Sequence, residues 1–148
     1  MEDTVAQANR QAMKLYVVLT RTYKALLDRD QRNIRSYGLN TTEFGVLELL
    51  YSKGSHPIQQ IGEKILITSG TMTYVIDKLE KKGLIVRRPC DKDRRIIHAE
   101  LTEAGRSKML GILPKHYHTL SESFNGLNQA EQEQAIELLK KIGFSASS

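Results

Sequence analysis

Only Leu66 and Ile67 separate two short helical patterns in the middle of this chain. The first carries Ile58, Ile61 and Ile65 at three- and four-residue spacing, and Pro57 suits its start, where a missing N–H does no harm. The second opens at Thr68 as its cap and carries Met72, Val75, Ile76 and Leu79 on one face, as core residues should lie. Two short helices joined by so tight a turn form a helix-turn-helix. Gly83 ends the second as a left-handed cap. Leu84 to Arg88 and Ile96 to Leu101 then read as two strands around a charged tip. On the returning strand Ile97, Ala99 and Leu101 share one face, and Ile96, His98 and Glu100 the other.

Longer helices flank this centre. Ala12, Leu15, Tyr16, Leu19, Tyr23, Leu26 and Leu27 mark a first helix from about Asp3 to Ser36. Asn40 with Glu43 has the spacing of a capping box, opening a helix with Phe44, Leu47, Leu50 and Tyr51 on its buried stripe and Gly54 at its end. Thr102 caps a fifth helix, roughly Glu103 to Phe124, in which Pro114 removes a hydrogen bond and predicts a kink. Asn128 with Glu131 repeats the capping spacing before Ala135, Leu138, Leu139 and Ile142, and the tail from Ser145 to Ser148 is expected to fray. The fold class is therefore mainly α, an α+β winged helix-turn-helix core with N- and C-terminal dimerisation helices. Residues 1–148 read as one domain, with about 1–36 and 103–148 as the dimerisation helices and about 40–101 as the winged lobe. The outer stripes need cover, because exposing apolar surface costs roughly 25 cal/mol per Å². A second copy supplies it, or the helices fold back on their own core.

The net charge of +5 points to a polyanionic partner, weakly by itself. The single cysteine, Cys90, excludes an intramolecular disulfide. No apolar run approaches a membrane span and the polar N-terminus is not a signal peptide, so the expected compartment is the cytoplasm, with no membrane partner. There is no Gly-rich phosphate loop and no Gly-x-Ser-x-Gly, so no enzyme is expected. His56, His98, His116 and His118 have no zinc-site spacing and read as solvated or capping residues, so neither metal nor cofactor is expected.

The reading head lies at 68–101. A recognition helix meets base edges with its N-terminal turns, so Ser69, Gly70, Thr71, Thr73, Tyr74 and Lys78, away from the core stripe, are the major-groove set. Their hydroxyls can donate or accept, Gly70 lets the backbone come close, and the helix N-terminus favours phosphate. Tyr74 has a second reading as a half-exposed packing residue. Arg87, Lys92, Arg94 and Arg95 supply the hairpin's cations, and an arginine at such a tip fits the narrow, electronegative minor groove of A·T-rich DNA. Asp93 pairs with a neighbouring arginine and fixes the tip. Cys90 sits among Arg87, Arg88, Lys92 and Arg94; cations favour a reactive thiolate. It reads either as an incidental thiol or as a sensor of electrophiles or oxidants.

With its order helix-helix-helix-strand-strand, this module resembles the winged helix-turn-helix of the MarR family of bacterial transcription regulators. The resemblance spans nearly the whole chain. It is carried by Thr71-Met-Thr-Tyr-Val-Ile-Asp-Lys-Leu-Glu-Lys-Lys-Gly-Leu-Ile85, by Asp91-Lys-Asp-Arg-Arg95 and by Leu101-Thr-Glu-Ala-Gly105. It implies a homodimeric repressor on double-stranded DNA, bound to a pseudo-palindromic operator with wings in the minor groove. Arg94 or Arg95 would enter that groove, with Asp93 bracing the other. It also implies release by a small aromatic, phenolic or quinone-like effector in a cleft; Tyr16, Tyr23, Tyr37, Tyr51 and Tyr117 offer aromatic surface that could line one, and each reads equally well as ordinary core. One branch of the family senses hydroperoxides through a cysteine near the start of the first helix; this chain has Ala12-Met-Lys-Leu-Tyr16 there and lacks it.

Overall fold

The computed structural model describes residues 1–65 and 69–148, with the backbone alone for Ser69 and Gly70. The expected two-residue turn and the Thr68 cap lie outside the described residues. In chain order the elements are α1 (Glu2–Ser36), α2 (Thr41–Lys53), β1 (His56–Pro57), α3 (Ile58–Lys64), α4 (Ser69–Lys81), β2 (Ile85–Pro89), β3 (Ile97–Leu101), α5 (Glu103–Glu122) and α6 (Gln129–Ala146). The fold is mainly α with a small antiparallel sheet, the winged-helix class read from the sequence.

Residues 27–116 form one compact unit, which holds the core. The α4 stripe of Met72, Val75, Ile76 and Leu79 is buried as expected, against Val46, Leu47 and Leu50 of α2, Ile61 of α3 and Met109 of α5. Ile34, on the charged end of α1, is also core and was not expected there. Asn40 Oδ1 accepts the Glu43 N–H at 2.8 Å and Glu43 Oε1 accepts the Asn40 N–H at 3.1 Å, completing the capping box of α2. α4 closes on Gly83 (φ 75°), where Leu84 N–H donates to the Leu79 carbonyl at 3.0 Å and Gly83 N–H to the Glu80 carbonyl at 2.9 Å. That is the Schellman pattern, and it turns the chain directly into β2.

The sheet order is β1-β3-β2. Ala99, fully buried at its centre, faces His56 on one side and Arg87 on the other. β1 corrects the sequence reading, in which Ser55 to Pro57 was only a lead into α3. These two residues pair with β3 because the backbone leaving Gly54 (φ 83°) runs alongside it.

Thr102 joins sheet to helix. Its Oγ1 accepts the Gly105 N–H at 3.0 Å, capping α5, and donates to the Gly83 carbonyl at 2.6 Å. α5 runs through Pro114 as one helix to Glu122, short of the expected Phe124.

Residues 1–26 and 117–148 form the second compact unit. Asn128 and Glu131 make the second expected capping box, at 2.8 and 3.0 Å. α6 remains helical through Ala146, so the expected fraying from Ser145 is corrected. Leu15, Val18, Leu19 and Leu26 face Leu138, Leu139 and Ile142 across an apolar groove of about 670 Å³. Leu15, Val18, Leu138 and Leu139 remain about half exposed.

Candidate nucleic-acid interface

The α4 face opposite its core stripe carries Thr71, Thr73 and Tyr74, all exposed. Tyr74 is 68% exposed, so its ring is not packed within this chain. Ser69 and Gly70 form the first turn of the same helix. Lys78, one further turn along, is half-buried with Nζ 3.6 Å from Glu43 Oε1.

Glu43 is an acidic residue whose second role the sequence concealed. Its side chain is buried, caps α2 and receives Lys82 Nζ at 2.7 Å. Lys82 also donates to the Gly38 carbonyl at 3.3 Å. Burial by itself would raise this carboxyl. The Lys82 hydrogen bond, the Asn40 N–H and the charges of Lys82 and Lys78 outweigh it and hold the group below its ordinary value.

The β2–β3 hairpin carries the wing cations. Cys90 N–H donates to the Ile96 carbonyl at 2.8 Å and Ile96 N–H to the Asp93 carbonyl at 3.0 Å, closing the tip. Asp93 accepts from Arg95 three times: from the backbone N–H and Nε at 3.1 Å each, and from Nη2 at 3.0 Å. These bonds lower the Asp93 carboxyl from its ordinary range. Asp93 thus pairs with a neighbouring arginine, and that arginine is Arg95. Lys92 and Arg94 project from the tip, exposed and with no ion-pair partner among the described residues. Just below the tip, Arg88 on β2 pairs with Glu100 on β3.

Arg87 differs from the other hairpin cations. Its Nη2 donates to Asp77 at 2.5 Å and its Nη1 to Glu80 at 2.7 Å, both on α4. Asp77 and Glu80 are i,i+3 on one helix face, a spacing visible in the sequence, but nothing local in the sequence names Arg87 as their partner. The Asp77 hydrogen bond raises the guanidinium further, with Glu80 adding to it against a cost of burial.

Cys90 is half-buried and lines a cavity of about 460 Å³ together with Ser55, Arg88, Lys92, His98 and Glu100. His116 corrects the reading of solvated histidines. It is buried, with Nδ1 2.9 Å from Asn33 Oδ1, Nε2 3.3 Å from Asp30 and its ring 4.5 Å from that of Phe44. His118 is exposed beside Glu122, as expected. Among the described residues no His, Cys, Asp and Glu cluster could hold a metal, and no helix is long and apolar enough to cross a membrane.

Residues 39–97, from the start of the winged lobe to the return strand, match the MarR family model. The chain is 45% identical to the HTH-type transcriptional regulator MhqR of Bacillus subtilis, over 91% of this chain and 93% of that protein. It is 32% identical to the transcriptional repressor MprA of Escherichia coli, over 79% and 68% respectively. Among solved structures it resembles BpsR of Bordetella bronchiseptica, whose DNA binding is regulated by 6-hydroxynicotinic acid. The TM-score there is 0.72 with 27% identity, covering 85% of this chain and 90% of that one.

Proposed function

The chain belongs to the MarR family of transcriptional regulators, and from that premise we propose that it is a homodimeric repressor of a pseudo-palindromic operator, released by a small aromatic or phenolic effector. Members of this family regulate transcription and are not enzymes. The observation that carries the DNA contact is the pairing of an exposed hydroxyl face on α4 with exposed cations on the wing, within one compact unit. Thr71, Thr73 and Tyr74, with Ser69 and Gly70 ahead of them, read the major groove. Arg94 enters the minor groove, Lys92 meets phosphate, and Asp93 holds Arg95 beside the tip. Lys78, half-buried beside Glu43, meets phosphate with its ammonium.

The dimer is supported by the half-exposed apolar faces of α1 and α6, which a second copy would cover. The effector class is supported by BpsR, whose regulator is a hydroxylated aromatic acid. Selection of bound DNA sequences tests the reading. Half-sites about 34–36 Å apart are expected. Affinity should fall steeply with salt as counterions are released. Recovery of asymmetric single sites alone would overturn the dimer. A screen of phenols and aromatic acids for release of the selected operator tests the effector.

The cavity beside Cys90 favours a second reading, a repressor whose wing is displaced when that thiol is modified. Cys90→Ser separates the two: release by quinone or peroxide that persists in the variant rules out the thiol route.

A further inference from the structure

Four charged residues on the second half of α4 and in the turn that closes it are engaged on two sides. Lys78 and Lys82, four apart, reach Glu43 on α2. Asp77 and Glu80, three apart, reach Arg87 on β2, and Glu80 Oε2 also accepts the Arg87 backbone N–H at 3.2 Å. Each end of the guanidinium fork thus holds a different carboxylate, and a third bond fixes the strand itself. Arg87 with Asp77 and Glu80 sums to one negative charge, so a phosphate approaching this point is repelled.

Resting on the DNA-binding reading above, we propose that Arg87 is a positioning residue, which with Asp77 and Glu80 locks the wing to the recognition helix and does not itself contact DNA. The lever is long enough to matter. The tip begins at Cys90, three residues beyond Arg87, and at about 3.3 Å per residue it lies roughly 10 Å away. A tilt of about 10° at Arg87 therefore moves the Arg94 guanidinium by roughly 2 Å, enough to break a hydrogen bond that needs about 3 Å. Major-groove and minor-groove contacts are made in one register only while this clamp is closed.

The test compares variants of the full chain on the selected operator and on random duplex, each across a salt series, with the thermal midpoint as a check of folding. Asp77→Asn with Glu80→Gln adds two units of positive charge. Simple electrostatics predicts tighter operator binding; the clamp predicts at least tenfold weaker operator binding with random-duplex affinity unchanged or higher. Arg87→Gln should likewise weaken operator binding at least tenfold, leave random-duplex binding alone and keep the salt slope of the parent. Exchanging the charges, Glu80→Arg with Arg87→Glu, rebuilds the pair and should restore most of the operator preference. The proposal is overturned if Arg87→Gln weakens both duplexes equally and reduces the salt slope by about one, the mark of a lost phosphate contact. It is also overturned if the carboxylate variant binds the operator more tightly. Failure of the unmutated chain to bind any duplex would instead remove the DNA-binding reading on which it rests.

Discussion

A methyl group placed on Gly105 would stand 2.1 Å from the carbonyl oxygen of Leu84. That carbonyl also accepts the Thr102 N–H at 3.1 Å, so it cannot swing aside freely. Here the first turn of α5 lies flat against the chain entering β2. Gly105→Ala should therefore cost about 3 kcal/mol, at the upper end for overpacking. The midpoint of urea unfolding measures it, and a loss below about 0.5 kcal/mol would mean that the junction yields easily.

Thr102 ties the same junction from the other side. Thr102→Val keeps the shape but removes both the cap of α5 and the bond to Gly83. The expected cost is about 1–2 kcal/mol. Because Thr102 and Gly105 share partners, the double variant should lose less than the sum of the single losses.

Glu43 makes stability depend on acid. Its carboxyl is held below the ordinary 4.5 in the folded protein, so its contribution is complete above that value. It is lost as pH falls through the lower folded value. Glu43→Gln can still accept in the capping box but cannot balance Lys82 and Lys78. At pH 7 the variant should be less stable by about 1–3 kcal/mol. Once the pH has fallen through that lowered folded value the two unfolding curves should converge, since both side chains are then uncharged. A constant gap across the acid range would assign the loss to shape alone.

At the wing tip the two arginines should separate. Arg94→Ala is expected to weaken operator binding by about 1–3 kcal/mol and to lower the salt slope by about one. Asp93→Ala keeps every cation but frees Arg95. It should leave the slope intact and reduce operator preference less than Arg94→Ala does. Fluorescence anisotropy with labelled operator over a salt series reads both quantities, and equal slopes for the two variants would contradict the division of roles.

What the sequence disclosed was local. The caps at Asn40 and Asn128 are three-residue spacings, and the stripe from Met72 to Leu79 is a helical period; both appear in the structure as read. Gly83 announces its turn because only a left-handed residue serves there. The partnerships that span sequence were hidden. Arg87 looked like one more wing cation, since charge patterning does not say which carboxylate faces it. His116 looked solvated because Asn33, which meets it, lies 83 positions earlier. β1 went unread because His56 and Pro57 have no alternation; their pairing is set by Ala99 and His98 on a strand some forty residues later.

The two prolines of the sheet carry a consequence of their own. Pro57 lies on the outer strand at one side, and Pro89 closes the outer strand at the other. A proline offers no N–H to an incoming chain, so neither rim is a clean template for strand addition. Copies that meet edge to edge therefore lack an unbroken row of N–H groups along which to zip into a continuous sheet.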